Sequence, residues 1–185
     1  MKKVIFQNAV SVDGYFEGPN HELDWHNVDQ EFNDYADQFL STIGTIVFGR
    51  VTYEMMASYW PTAGEEDPII AHWMNTLPKV VFLRTLEKVD WENTRLVKEN
   101  AHEELARLKE QPGKDIVIFG SSDLALTFMH WGLIDEFRIL VMPVILGSGK
   151  LLFSGIYGRY PLKLLRTKPF KSGNVMLVYE ENKKK

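Results

Sequence analysis

Three short segments combine glycine, arginine and small hydroxyl residues in a pattern that suits phosphate binding. They are Gly49-Arg50-Val51-Thr52, Arg84-Thr85 and Gly120-Ser121-Ser122. Each follows an apolar run typical of a buried strand, and the first and third open helical patterns, with Ser121 or Ser122 expected as an N-cap. Helix amino termini present free N–H groups and positive dipole charge to an anion, and glycine lets the backbone approach it. The pattern predicts a phosphate site at the carboxyl ends of parallel strands.

Arg50 is the residue whose position argues most strongly for an anion. A positive charge in the first turn of a helix opposes the macrodipole, so an anion that neutralises both would explain it. The alternative is that Arg50 pairs with Glu54, four residues later. Arg84 leaves a similar choice between a phosphate ligand and an ordinary loop cation.

The segment from Asp13 to Trp25, DGYFEGPNHELDW, is rich in aromatic and acidic side chains. A loop of this composition beside the ligand edge of a sheet suits a cover over a flat ring. We expect Trp25 to pack against such a ring and Asp13 or Asp24 to accept its N–H groups. The alternative is that the aromatic residues of the loop only fill the core.

Several other kinds of site are excluded by missing motifs. The chain contains no G-x-G-x-x-G, Walker or G-x-S-x-G sequence. It has 0 Cys, and its 5 His form no H-E-x-x-H pair, so we expect no metal. A net charge of −4 gives no sign of a nucleic-acid or membrane partner. The apolar runs are too short to span a bilayer, and we expect a cytoplasmic protein.

Strands and helices alternate along the predicted chain. Apolar runs predict strands at 3–12, 45–48, 79–83, 94–98, 115–119 and 135–142. Helical spacing predicts helices at 28–43, 51–59, 68–77, 101–110 and 124–131, the first with a capping box from Asn27 and Gln30. This alternation requires right-handed crossovers and builds a parallel sheet with helices on both faces.

The carboxyl-terminal region predicts a hairpin that makes the sheet mixed. Its strands are Leu162 to Pro169 and Val175 to Glu180, joined by a Lys-Ser-Gly-Asn turn. The apolar residues on this edge predict a homodimer, because such an edge is normally covered or paired. A length of 185 residues fits one domain, 1–185.

Six segments of this chain carry a resemblance to a known family. They are S-V-D-G-Y at 11–15, L-D-W at 23–25, F-G-R-V-T-Y-E at 48–54, R-T at 84–85, F-G-S-S at 119–122 and G-L-I-D-E-F-R-I-L-V-M-P-V-I-L-G-S-G at 132–149. The chain resembles the dihydrofolate reductase-like superfamily, in the branch of the riboflavin-biosynthesis reductase domain (the RibD C-terminal domain). The resemblance implies a three-layer α/β sandwich with a mostly parallel mixed sheet of about eight strands.

The resemblance also implies an oxidoreductase that uses NADPH. Its matching residues would hold the cofactor phosphates: Gly49, Arg50, Thr52, Arg84 and Thr85 on the adenosine side, and Gly120, Ser121 and Ser122 at the pyrophosphate. Hydride would pass to a pterin- or pyrimidine-like heterocycle, or to a related carbonyl or imine. We expect Asp13 and Asp24 in catalysis, and Trp25, Asp29 and Glu31 at the substrate.

Two alternatives to this reductase remain open on sequence. Dihydrofolate reductases carry a carboxylate five residues after the tryptophan of the aromatic loop, and Gln30 occupies that position here. A divergent dihydrofolate reductase would need Asp29 or Glu31 in its place. A non-catalytic nucleotide-binding homo-oligomer of the same fold would need neither.

Overall fold

The computed structural model describes residues 1–84, 88–156 and 158–182. Its strands are β1 (Val4–Val10), β2 (Tyr15–Glu17), β3 (Ile43–Gly49), β4 (Lys79–Phe82), β5 (Thr94–Val97), β6 (Asp115–Phe119), β7 (Glu136–Val141), β8 (Lys150–Leu151), β9 (Leu162–Pro169) and β10 (Val175–Glu181). Its helices are α1 (Gln30–Leu40), α2 (Arg50–Tyr59), α3 (Pro68–Thr76), α4 (Ala101–Glu110) and α5 (Ser122–His130). Within the described ranges, none of the helices is long and apolar enough to cross a membrane.

Eight strands form one mixed sheet in the order β5-β4-β3-β6-β1-β7-β10-β9. Six of them are parallel, and β10 pairs antiparallel with both β7 and β9, so the predicted mixed sheet with a terminal hairpin is confirmed. The chain leaves β3 toward β4 and leaves β6 in the opposite direction, toward β7. The carboxyl ends of β3 and β6 therefore mark the point where strand order reverses, which is where open α/β sheets bind ligands.

Alternating side chains of the strands fill a separate core on each face of the sheet, as the period of two requires. One core packs against α4 and α5, and its strand residues include Val4, Phe6, Val47, Ile116 and Ile118. The other packs against α1, α2 and α3, and its strand residues include Ile5, Ile46, Phe48, Val81 and Val117. Helices thus cover both faces, as predicted.

The predicted amino terminus of α1 is wrong by two residues. Asp29 is the N-cap, and its carboxylate accepts a hydrogen bond from Phe32 N at 2.8 Å. Asn27 instead donates through Nδ2 to the Ser172 carbonyl at 3.0 Å, on the turn between β9 and β10. The carboxylate of Asp29 serves a helix start better than the expected Asn27 because it adds charge complementary to the dipole.

A second, two-stranded sheet lies where the sequence predicts only loops. β2 and β8 pair antiparallel, with Tyr15 opposite Leu151 and Glu17 opposite Lys150. Gly149 has a φ of +138°, and a Cβ there would collide with the Glu17 carbonyl. Glycine is therefore required at this junction. Strands of two and three residues are too short to show a period of two in sequence.

Lys79 is a buried cation at the start of β4. Its ammonium donates to the carbonyls of Met74 at 2.9 Å, Asn75 at 3.2 Å and Leu77 at 2.9 Å, at the end of α3. Burial lowers the pKa of Lys79 to about 8, although Glu92 acts in the opposite direction. The side chain thus satisfies carbonyls that the last turn of a helix leaves without intrahelical donors.

Candidate active site

Two helices begin side by side at the carboxyl ends of β3 and β6. Ser121 Oγ accepts a hydrogen bond from Gly49 N at 2.8 Å and donates to the Phe119 carbonyl at 3.0 Å. Thr52 Oγ1 accepts from Ser121 N at 2.9 Å. Because these bonds run between the two turns, they fix the starts of α2 and α5 relative to each other.

Neither helix start is capped by a side chain among the described residues. Gly49, the N-cap of α2, has no side chain to offer, and the hydroxyl of Ser121, the N-cap of α5, is used by the bonds just described. Ser121 therefore holds the expected position without the expected capping bond. The Ser122 hydroxyl is buried and has no hydrogen-bond partner within the described chain. Together these groups offer unused donors to an anion.

Gly120 joins β6 to α5 in a left-handed conformation, with a φ of +55°. A Cβ at this position would lie 2.8 Å from Thr52 Oγ1 and 2.9 Å from Thr52 Cγ2. The close approach of α2 and the positive φ both explain why this position carries glycine. A contact between Gly120 and a pyrophosphate stays a prediction.

A cavity of about 250 Å³, here called the helix-start cavity, opens at these two turns. Its lining includes five of the predicted cofactor residues: Gly49, Arg50, Thr52, Ser121 and Ser122. Arg50 Nη1 lies 3.3 Å from Glu54 Oε2 in an exposed pair, the alternative considered from sequence. Lys150 of β8 adds a second cation, and its Nζ lies 2.8 Å from Asp123 Oδ2. Lys150 is the first residue of β8 and was not among the predicted cofactor residues.

A larger cavity of about 470 Å³, here called the apolar cavity, adjoins the first. The two cavities share Phe16, Glu17, His21, Val51 and Thr52 in their linings. The remaining wall of the apolar cavity comes from β1, α1, α2, β7 and the segment before α1, and it includes Gly120, Val28, Phe32, Met55, Met56, Trp60, Leu140 and Met142. Together they form one cleft with a polar end and an apolar end.

Three polar side chains in the lining of the apolar cavity carry unused hydrogen-bonding atoms. Gln7 Oε1, Asn8 Nδ2 and His26 Nε2 are buried without a partner among the residues described. Burial lowers the pKa of His26, which favours the neutral imidazole. Sequence reasoning missed all three, although two consecutive amides in an otherwise apolar central strand were a visible signal.

The sequence of this chain matches one known protein family over nearly its whole length. The RibD C-terminal domain matches residues 2–176. The chain belongs to the RibD C-terminal domain family. It is also 38% identical over 183 residues to the uncharacterized protein YyaP of Bacillus subtilis (strain 168), covering 98% of this chain and 96% of that protein.

Solved structures share the fold of this RibD C-terminal domain. A protein from Shewanella sp. PV-4 named for riboflavin biosynthesis is similar with a TM-score of 0.76 and 23% identity, over 98% of this chain and 99% of that one. A diaminohydroxyphosphoribosylaminopyrimidine deaminase/5-amino-6-(5-phosphoribosylamino)uracil reductase from Thermotoga maritima is similar with a TM-score of 0.71 and 13% identity, over 97% of this chain and 56% of that one. The fold is dihydrofolate reductase-like, as the sequence resemblance implied.

The Asp13 carboxylate is held by hydrogen bonds from other parts of the protein. Its carboxylate accepts hydrogen bonds from Ser11 Oγ at 2.6 Å, Leu146 N at 3.1 Å and Gly147 N at 2.8 Å. The Ser11 hydroxyl, followed by these backbone N–H groups, lowers the pKa of Asp13 to about 2. Asp13 thus joins the aromatic loop to the segment before β8, and it does not line either cavity within the described chain.

The other residues expected at the substrate also lie outside the linings of the two described cavities. Asp24 is exposed. Trp25 donates through Nε1 to the Glu22 carbonyl at 3.0 Å and packs beside the cluster around Met142. Asp29 caps α1, and Glu31 Oε2 accepts from Lys171 N at 2.9 Å. Their roles in catalysis and substrate binding stay predictions.

Arg84 and Thr85 were expected near the cofactor phosphates. Arg84 is exposed and follows the end of β4, two residues beyond Phe82, the register partner of Gly49. It is on the correct edge of the sheet but outside both cavity linings. Thr85 lies outside the described residues.

Proposed function

We propose that this protein is an NADPH-dependent reductase of small heterocyclic carbonyl or imine compounds. The observation that carries the proposal is the cleft itself. Two uncapped helix starts lie at its polar end, and its apolar end has room for a flat ring. Membership of the RibD C-terminal domain family supports the same class of reaction.

The helix-start cavity fits the phosphates of a dinucleotide. The first-turn N–H groups of α2 and α5 would hold the phosphate oxygens, together with the unpartnered hydroxyl of Ser122. Arg50 and Lys150 would supply the positive charge. When bound, NADPH supplies a hydride from C4 of its nicotinamide.

The residues of the apolar cavity would orient the acceptor and exclude water. The walls formed by α1, α2 and β7 are mostly hydrocarbon and thioether, which favours a stacked ring over bulk solvent. His26 Nε2 is the buried ionisable nitrogen on this wall whose partner is missing from the described chain, and we assign it the proton that balances hydride addition. His26 would give this proton from its imidazolium form and be left as the neutral imidazole, which is the form that burial favours.

The structure weakens one of the two alternatives. A divergent dihydrofolate reductase would require Asp29 or Glu31 to face the substrate, but both carboxylates are engaged in helix capping or loop contacts. A non-catalytic nucleotide-binding protein would keep the helix-start cavity and differ only in turnover. The experiment must therefore measure binding and turnover separately.

Calorimetric titration with NADPH tests binding, and Ser122→Ala tests the location. We expect Ser122→Ala to weaken NADPH binding about tenfold, because a hydrogen bond to a charged group contributes about 1.5 kcal/mol. Ser58→Ala is the matched control, since Ser58 is exposed on α2 and bonds only to the Met55 carbonyl among the contacts described. Equal weakening by both variants, or no binding by the parent, would contradict the proposed cofactor site.

Turnover is measured as NADPH oxidation with a panel of cyclic imines and carbonyls. Oxidation that depends on the acceptor and is reduced by His26→Phe supports the reductase. Binding of NADPH without oxidation by any acceptor would instead favour the nucleotide-binding alternative.

A further inference from the structure

We propose that the apolar cavity selects an uncharged, planar substrate with an apolar substituent and excludes a phosphoribosyl group. This inference rests on the proposed reductase function and names the class of its substrate. The proposed substrate differs from the phosphoribosylamino compound for which the similar protein from Thermotoga maritima is named.

The charge of the cavity argues against a phosphorylated substrate. Among the described residues that line it, none is Lys or Arg, and Glu17 is the one carboxylate. The Glu17 side chain is mostly buried and lies 3.0 Å from His21 Nδ1. A phosphate placed in this cavity would lose its hydration near a carboxylate and gain no described lysine or arginine partner, which is a large free-energy cost.

Three basic side chains of the neighbouring elements do not line the apolar cavity. Arg50 and Lys150 line the helix-start cavity but not the apolar cavity. Arg138, on the neighbouring strand β7, is buried, donates to Glu136 at 2.6 Å and to the Tyr35 hydroxyl at 3.1 Å, and lies over the Phe39 ring. A dinucleotide in the helix-start cavity would use Arg50 and Lys150, which would leave neither cation for the phosphate of a substrate.

The walls of the cavity favour an apolar substituent. Val28, Val51 and Met55 are between 38% and 50% exposed at its mouth, which is a high exposure for adjacent apolar side chains on one cavity. Met55 and Met56 can adapt to irregular shapes because their side chains are unbranched and polarizable. A substituent that extends from the ring toward α2 would cover these side chains.

The floor of the cavity recognises a small polar edge. Gln7 Oε1 can accept a hydrogen bond, Asn8 Nδ2 can donate one, and both are buried without partners among the described residues. A flat ring that carries both C=O and N–H groups would satisfy these two atoms, whereas a hydrocarbon would leave both unpaired. The substrate is therefore polar at one edge and apolar beyond it.

A matched pair of uracils tests this selection. The probes are 6-(hexylamino)uracil and 6-(5-phosphoribosylamino)uracil, which share the ring and differ in the substituent. Calorimetry is performed with the full chain, with and without saturating NADPH. We expect the hexyl compound to bind at least tenfold more tightly. Equal or tighter binding of the phosphorylated compound, or binding of neither, would overturn the inference.

Met55→Lys provides a gain-of-binding test at the mouth of the cavity. We expect it to raise affinity for the phosphorylated probe at least tenfold relative to Met55→Gln, the uncharged control, with thermal unfolding used to confirm that both variants fold. No gain for Met55→Lys would place the substituent elsewhere and contradict the assigned direction. NADPH titration without a uracil separately tests the proposed cofactor, so a failure of the reductase proposal is distinguishable from a failure of substrate selection.

Discussion

Arg50 stands in the first turn of α2, where its charge opposes the helix dipole, and it pairs with Glu54 on the exposed surface. If it also contacts the 2′-phosphate of NADPH, removal of its charge should affect NADPH and spare NADH. We expect Arg50→Gln to weaken NADPH binding about tenfold, about 1.4 kcal/mol, with a change of less than twofold for NADH. Fluorescence titration with both nucleotides measures the difference.

Arg107→Gln is the control for Arg50→Gln. Arg107 is also an exposed helical arginine, and its Nη2 lies 2.7 Å from Glu104 Oε1. This variant loses an ion pair on α4, outside both cavity linings, and should bind both nucleotides like the parent. A parent protein with equal affinity for NADPH and NADH would refute the role of Arg50 in cofactor choice.

Asp13 makes the stability of the loop junction depend on pH. The pKa of Asp13 is lowered from 3.8 to about 2 in the folded protein, so the folded state binds fewer protons between these values. Its contribution is therefore present above pH 4 and is lost as the pH falls toward 2. We expect Asp13→Asn to lower Tm at pH 7 and to differ less from the parent at pH 3.

Thermal unfolding of the parent and Asp13→Asn at pH 7, 5 and 3 measures this trend. Asp24→Asn is the control, because Asp24 is exposed on the same loop. A Tm difference for Asp13→Asn that stays constant from pH 7 to pH 3 would show that the carboxylate charge is not responsible.

Local sequence could predict the residues at strand ends but not those brought together by register. Gly49, Arg50, Thr52, Ser121 and Ser122 were accessible because each lies at a visible change from strand to helix. The amides of Gln7 and Asn8 were visible in an otherwise apolar strand, but which of their atoms lack partners, and that His26 joins them, depends on the folded cavity. The backbone N–H groups that Asp13 accepts from lie on the segment before β8, about 130 residues away in sequence, so local sequence could not reveal them.

The junction of α2 with α5 depends on the absence of a side chain at Gly120. We expect Gly120→Ala to lower the free energy of unfolding by about 1–2 kcal/mol through the left-handed conformation, with a further loss from the clash with Thr52. Thr52→Ala removes Oγ1 and Cγ2, the two atoms with which the new Cβ would clash. Urea unfolding of the two single variants and the double variant measures the coupling.

The expected result of this cycle is that Thr52→Ala costs less in the Gly120→Ala background than in the parent. In the parent it removes the hydrogen bond from Ser121 N, whereas in the variant it also relieves the clash. Strictly additive losses would show that α2 moves away freely and that the two helix starts are not held together by close packing.

Lys79 supports the end of α3 from the adjoining strand. We expect Lys79→Met to lower the free energy of unfolding by about 1–3 kcal/mol, because the carbonyls of Met74, Asn75 and Leu77 would lose a buried donor. Lys98→Met, an exposed lysine just beyond β5, is the control and should stay within about 0.5 kcal/mol of the parent. Urea unfolding at pH 7 compares the two, and equal stability of Lys79→Met and the parent would mean that water replaces the ammonium.

Elements with strong periodicity and clear stops were predictable to the residue. α4, β6 and β9 have the bounds that the sequence predicts, since glycine, proline or a sharp change in polarity marks their ends. β2 and β8 were not predictable because their pairing joins segments near opposite ends of the chain. The α1 start was missed because Asn27 and Asp29, two positions apart, are both favoured N-cap residues.

The carboxyl-terminal hairpin leaves β9 as an open edge of the main sheet. Leu164 and Leu165 on this strand are 51% and 43% exposed. We expect a homodimer through this edge, because an open strand with exposed leucines is normally covered or paired. Light scattering at micromolar concentration should give twice the mass of one chain.

Leu164→Lys should shift the mass toward that of a single chain. Ile69→Lys is the control. Ile69 is similarly exposed, at 52%, but it lies on α3 and not on the edge strand β9. A parent protein with the mass of one chain would contradict the dimer. Dissociation by Ile69→Lys and not by Leu164→Lys would move the interface from β9 to α3.

The small sheet of β2 and β8 has a consequence for how quickly ligands exchange. Phe16 and Glu17 from one strand and Lys150 from the other line the helix-start cavity, so the pairing forms part of its rim. Any ligand enclosed there leaves at a rate set in part by the opening of a few hydrogen bonds, a local event that needs far less free energy than global unfolding. Residence time and equilibrium affinity can therefore change independently, since weaker pairing of β2 with β8 would speed both the entry and the departure of a ligand.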